Sequence, residues 1–368
     1  GAVTLAPGDE KACIITNTDV QGKIIIEKQT LPDGDQTEFS FSGTGINEGV
    51  SLKDGGTTEK IVVPGSYTVT ELVPSGWDLT SISCGNDTDS TGNINTKTAS
   101  INVSANETVK CTFTNTKRGK IIIEKNAIND SNQSFRFTNN FGNNNSNEFA
   151  LVDDATTGLP KFEAEVLPGQ YTVTEDAYES WKLTDINCTD PTQNSSGVLN
   201  NRQASINVSP GETVTCTFTN RQKPTLTVVK KVINDNGGTK TVNDFGIAFS
   251  GGDLSFDIGI TSGDTTTYTA QKLTLDKGTS YTLSENNIEG YAEGNWDCGT
   301  TGENKLSTTV ELGYNQNLTC TITNDDQPGT LIVKKTVNNA NGGDLAADDF
   351  NFTVNGGQST AFEADGEN

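Results

Sequence analysis

Three residue types that can react with one another recur in a fixed order along this chain: lysine, glutamate and asparagine. Lysine closes the segments Ile24-x-Ile26-x-Lys28, Ile121-x-Ile123-x-Lys125 and Leu226-x-Val228-x-Lys230. Glutamate closes Tyr67-Thr-Val-Thr-Glu71, Tyr171-Thr-Val-Thr-Glu175 and Tyr281-Thr-Leu-Ser-Glu285. Asparagine closes Cys111-Thr-Phe-Thr-Asn115, Cys216-Thr-Phe-Thr-Asn220 and Cys320-Thr-Ile-Thr-Asn324. Residues two apart in a strand share a face, so each polar residue lies on the apolar parity of its own segment. An isolated buried Lys or Glu is costly, and three such groups recurring together must serve one another. Burial lowers the pKa of a lysine and raises that of a glutamate. A neutral amine can then attack the asparagine carboxamide carbon while a protonated Glu polarises the carbonyl and shuttles protons as ammonia leaves. The expected product is a Lys–Asn isopeptide bond from the first strand to the last. The alternative is a buried Lys–Glu ion pair capped by Asn, with no covalent bond.

Seven cysteines supply a second chemistry. Each repeat holds one pair, Cys84 with Cys111, Cys188 with Cys216 and Cys298 with Cys320, spaced for a bridge between neighbouring or facing strands. Cys13 occupies the position of the second member of a pair and is left unpaired. Histidine is absent and no C-x-x-C occurs, so a zinc site has little support and no metal or cofactor is expected. Disulfides place the chain in an oxidising compartment; reduced thiols acting as small buried hydrophobes are the other reading.

The elements that must position these groups are strands. Apolar and polar residues alternate with period two, and turn signals such as Leu31-Pro-Asp-Gly34, Val63-Pro-Gly65 and Leu167-Pro-Gly169 punctuate them. Threonine-rich, β-branched runs favour strand over helix. The whole set recurs roughly every hundred residues, the size of one small sandwich domain rather than a solenoid turn. The expected architecture is all-β, in tandem antiparallel β-sandwich domains. Residues 22–116, 117–221 and 222–326 form complete repeats. Residues 1–21 carry only a closing segment and 327–368 only the opening part of another repeat, as in a window on a longer repetitive polypeptide or in subunits whose ends complete each other by strand addition.

With these residues in view, the repeats resemble the prealbumin-like (Ig-like) domains of SpaA-type or Cna B-type found in bacterial surface proteins and pilins. The resemblance rests on the opening strand ending in Lys, the Tyr-x-x-x-Glu segment and the Asn of the final strand. Glu71-Leu-Val-Pro-Ser-Gly-Trp77 matches the family's next element; Glu175 with Trp181 and Glu285 with Tyr291 keep its spacing but lose the proline. It implies bonds made by Lys28, Glu71 and Asn115, by Lys125, Glu175 and Asn220, and by Lys230, Glu285 and Asn324. It also makes Lys335 and Asn17 isopeptide positions of the partial domains.

Composition narrows the function classes. The net charge of −23 repels nucleic acid and anionic membranes. No stretch approaches the ~18 apolar residues of a membrane helix. Without histidine there is no Ser-His-Asp or Cys-His pair, and turnover is not expected. Asn86, Asn102, Asn106, Asn207 and Asn317 lie in N-x-S/T sequons compatible with glycosylation. The reading is an extracellular, cell-surface structural repeat protein of a filament, pilus or stalk, whose partner is itself, head to tail or across neighbouring subunits. The alternative is an adhesin that presents a surface ligand-binding module on a stalk of repeats.

Overall fold

In the computed structural model, residues 2–15, 20–129, 132–143, 146–153, 158–299 and 309–365 are described. Strands dominate, and the helices among these residues are single 3₁₀ turns. None is long and apolar enough to cross a membrane. The chain divides into two compact units, residues 1–222 and 223–368.

The first unit opens with nine strands: β1 (Gly22–Leu31), β2 (Phe39–Ser42), β3 (Ser51–Leu52), β4 (Thr57–Val62), β5 (Gly65–Leu72), β6 (Trp77–Ser83), β7 (Thr91–Asn93), β8 (Thr98–Val103) and β9 (Thr108–Lys117). They form two sheets, ordered β4-β1-β9-β6 and β3-β2-β5-β8-β7. Alternation builds the core between them. In β1 every second residue from Gly22 to Thr30 is buried, and Ile24 and Ile26 meet Phe39, Phe41, Val69, Ile101 and Phe113 from the other strands. Glycine begins β1 because the chain passes too close to its neighbours for a side chain. A Cβ on Gly22 would lie 2.4 Å from Val103 Cγ1 and 2.8 Å from the Ser104 carbonyl oxygen.

Sandwich pairings are mostly antiparallel, with one exception that the strand pattern does not reveal. The opening and closing strands, β1 and β9, run parallel and adjacent, in the register Ile26↔Cys111, Lys28↔Phe113 and Thr30↔Asn115. The same arrangement recurs in this unit: Gly119–Ala127 lies parallel to Thr213–Gln222 and is flanked by Lys161–Val166, while Trp181–Thr189 borders the closing strand. A second sheet is built from Ser146–Val152, Ser134–Asn143, Gly169–Glu175, Gln203–Val208 and Ser196–Val198. Only Arg118 separates the end of β9 from the next opening strand.

In the second unit Thr225–Ile233 again lies parallel to Asn317–Asp326. Facing it are Ala248–Phe249, Ser280–Ser284 and Thr309–Glu311. Further along, Asn351–Phe352 and Thr360–Ala361 form a short antiparallel pair.

Candidate functional site

Lys28 extends the buried face of β1 beyond Ile24 and Ile26, and no part of its side chain is exposed. Its Nζ donates to Asn115 Oδ1 at 2.9 Å, to the Gln29 carbonyl at 2.6 Å and to the Phe113 carbonyl at 3.2 Å. Glu71 Oε1 stands 3.6 Å away, its side chain equally buried. The second repeat has the same geometry: Lys125 Nζ lies 3.1 Å from Asn220 Oδ1 and 3.8 Å from Glu175 Oε1. In the third, Lys230 Nζ donates to Glu285 Oε2 at 2.6 Å and to Asn324 Oδ1. An amine, a carboxyl and a carboxamide thus meet in each copy, all three on strands in the first two repeats, with Glu285 directly after Ser280–Ser284 in the third.

The electrostatics follow from the loss of water. Burial pulls the Lys28 amine down to about 8 against the opposing pull of Glu71, and the Lys125 amine also to about 8. Lys230 moves down for the same reason. Burial pushes the carboxyls of Glu71 and Glu175 upward. The hydrogen bonding is incomplete in a repeating way. Among the described residues, Asn115, Asn220 and Asn324 each leave Nδ2 buried without a hydrogen-bond partner, as do both oxygens of Glu71 and Oε1 of Glu175 and of Glu285. Leaving such groups dry costs about 1–3 kcal/mol each.

An aromatic cover completes each site, and the lysine-to-asparagine motif gives no hint of it. Lys28 Nζ sits 4.2 Å from the ring centre of Phe39, Lys125 4.1 Å from Phe135 and Lys230 3.9 Å from Phe245. A second ring stands edge-on to each: Trp77 against Phe39 at 5.2 Å, Trp181 against Phe135 at 5.4 Å and Tyr291 against Phe245 at 5.5 Å. The recurring Glu-to-aromatic spacing therefore places the ring that seals the pocket. The period-two Phe39-Ser-Phe41 and Phe135-Arg-Phe137 pairs were its available signal. Lys335 lies 4.0 Å above the Phe350 ring in the same manner; Asn17 falls outside the described residues.

The cysteines act on the other flank of the closing strand. Cys84–Cys111, Cys188–Cys216 and Cys298–Cys320 are disulfide-bonded, and Cys13 is free and exposed. Cys188 and Cys216 are directly opposed in adjacent antiparallel strands of one sheet, so the bridge joins neighbours rather than facing sheets. Of the sequon asparagines, Asn86, Asn106 and Asn317 are exposed, whereas Asn102 and Asn207 are half-buried. The Asn102 amide is engaged on both sides, accepting from Ser66 and donating to the Asp89 carbonyl.

A β-sandwich that pairs its first and last strands in parallel and buries a Lys–Glu–Asn set beneath aromatic rings defines a recognisable class of repeat. The chain belongs to the prealbumin-like fold domain family, which matches residues 24–117 and 121–222 in one form and 222–322 in another. No curated protein matches it by sequence. Solved structures similar to it include the Bacillus anthracis TIE protein, at 17% identity and a TM-score of 0.32, covering 83% of this chain and 51% of that one. The major pilin subunit of Bacillus cereus aligns at 13% identity and a TM-score of 0.26, covering 83% of this chain and 100% of that one. A pilus adhesin from Lactobacillus rhamnosus GG aligns at 15% identity and 0.23, covering 85% and 44%. The chain thus spans about half the length of the first and less than half of the last.

Proposed function

We propose that this chain is a load-bearing segment of an extracellular filament, pilus or surface stalk, in which each repeat closes itself by an amide between its first and last strands. The observation that carries the reading is the dry Lys–Glu–Asn set, built three times over with the carboxamide within hydrogen-bonding reach of the amine. A proton passes from the Lys28 ammonium to Glu71, and the freed amine attacks Asn115 Cγ. Glu71 gives that proton to Nδ2 and takes one from the attacking nitrogen, the Cγ–Nδ2 bond breaks as ammonia leaves, and an amide joins Lys28 Nζ to Asn115 Cγ, with Glu71 left protonated. Each set reacts once, with itself. Reaction also removes the orphaned Asn nitrogen and leaves an amide N–H able to face the carboxyl. Lys125, Glu175 and Asn220 take the same roles in the second repeat, and Lys230, Glu285 and Asn324 in the third. Residues 22–116, 117–221 and 222–326 are the mechanical units of this reading.

Intact mass of the reduced, denatured chain tests it. The mass falls by about 17 Da for each ammonia released, and a mass equal to the plain sequence rules the amides out. Electron microscopy of native material then tests the surface role: filaments or stalks support it, and dispersed monomers that bind a ligand favour an adhesin.

A further inference from the structure

Glu175 differs from Glu71 in one contact. The Arg202 guanidinium donates to Glu175 Oε2 at 2.9 Å, and its Nε donates to the Glu175 backbone carbonyl at 2.8 Å. A further bond reaches the Asp176 carbonyl. The backbone fixes Arg202 where these contacts can form. It follows the single 3₁₀ turn Leu199–Asn201 with a left-handed φ of 56°, and its carbonyl accepts from the Glu175 N–H at 3.0 Å.

The first repeat supplies a comparison within the same molecule. Lys97 stands on the equivalent backbone, with φ 58° and its carbonyl accepting from the Glu71 N–H at 3.0 Å. Its side chain is exposed, and among the described residues both Glu71 oxygens lack a hydrogen-bond partner. One backbone frame thus carries a clamped carboxyl in the second repeat and an unclamped one in the first.

The contact bears on the reaction because the carboxyl must carry the proton that the amine gives up. A guanidinium bonded to it favours the carboxylate and the unreactive ion pair. Arginine keeps its own proton and cannot replace Glu175 as the shuttle. Its charge also disfavours the ammonium of Lys125, but its hydrogen bond is to the carboxylate. We propose that Arg202, acting through Glu175, retards amide formation in the second repeat, so that the first repeat closes before the second. The inference rests on the amide-forming reading above and changes none of its atoms: Lys125 Nζ still bonds to Asn220 Cγ as ammonia leaves.

The test is a time course on the full chain made by cell-free synthesis, quenched with acid and digested, with linked and unlinked peptides of each repeat counted by mass spectrometry. The Lys28–Asn115 peptide is expected to accumulate roughly tenfold faster than the Lys125–Asn220 peptide, the scale of one charge-assisted hydrogen bond. Arg202→Gln should remove most of that gap and shift the acid limb of the second repeat's pH–rate profile to higher pH, a movement that a loop-holding role would not produce. Lys97→Arg, at an exposed position that does not threaten folding, should slow the first repeat. Equal rates in the wild-type chain, or a first repeat unslowed by Lys97→Arg, overturn the proposal while leaving amide formation intact. No linked peptide in any repeat at any time overturns both.

Discussion

A lysine amine with no exposed surface, 2.9 Å from a carboxamide oxygen and 3.6 Å from a carboxyl, is costly unless its protonation changes or its bonding does. The lowered amine of Lys28 and the raised carboxyl of Glu71 mark the same strain from two sides. Asn115→Ala blocks amide formation and leaves Lys28 free to titrate, which gives the site a pH signature. The unfolded lysine titrates near its ordinary 10.5 and the folded one near 8. Between those values the unfolded chain holds more protons, so stability rises with pH across that window. Glu71 works in the opposite sense: its raised folded value means that stability falls as pH climbs above its ordinary 4.5. Urea unfolding of the first repeat, followed by Trp77 fluorescence in chains whose Trp181 and Trp296 are replaced by Phe, should therefore show the Asn115→Ala chain gaining stability between pH 8 and 10 relative to the chain that keeps Asn115. No relative gain would mean that Lys28 is not held neutral by burial.

At the scale of the strand, β9 is the element on which both chemistries converge. It lies between β1 and β6 in its sheet; the Lys28–Asn115 contact faces one neighbour and Cys84–Cys111 the other. The disulfide and the Lys28–Asn115 contact therefore tie β9 to different neighbours, and the disulfide would not make the proposed amide to β1 redundant. Reducing Cys84–Cys111 should cost the first repeat about 3–4 kcal/mol from the chain entropy of a loop of this length. Urea midpoints with and without reductant measure that loss, and an unchanged midpoint would show that the bridge constrains nothing in the unfolded chain. Strand parity carried much of this in the sequence: Lys28, Glu71 and Asn115 each fall two residues beyond a core residue, and the cysteine pairs follow from the repeat alignment. Parity assigns a face but not a neighbour, so the parallel pairing of β1 with β9 and the same-sheet placement of the disulfide were not legible. Alternation does not say which ring lies over the amine, so nothing in the sequence singles out Phe39 for that place. Arg202 was invisible for another reason: it sits on a left-handed loop residue, where no strand period dictates the direction of the side chain.

For the molecule as a whole, the parallel register of β1 and β9 sets how tension enters a repeat. Pulling on Gly22 and Lys117 shears two adjacent strands, and the amide proposed between Lys28 and Asn115 would carry that load past everything between them. Stretching a single chain should show no opening of an amide-closed repeat. Asn115→Ala with its disulfide intact should release roughly 200 Å of new length, the extended reach of the segments outside the Cys84–Cys111 loop. A wild-type repeat that opens by the same length would remove the load-bearing role. The register has another outcome, at the level of heredity. Gly22 and Lys117 emerge at opposite poles of one sheet, and Arg118 alone separates the next opening strand in the first unit. A stretch of coding sequence bounded at those poles encodes one whole sandwich, so its duplication or loss would add or remove a complete domain and strand no half-built sheet.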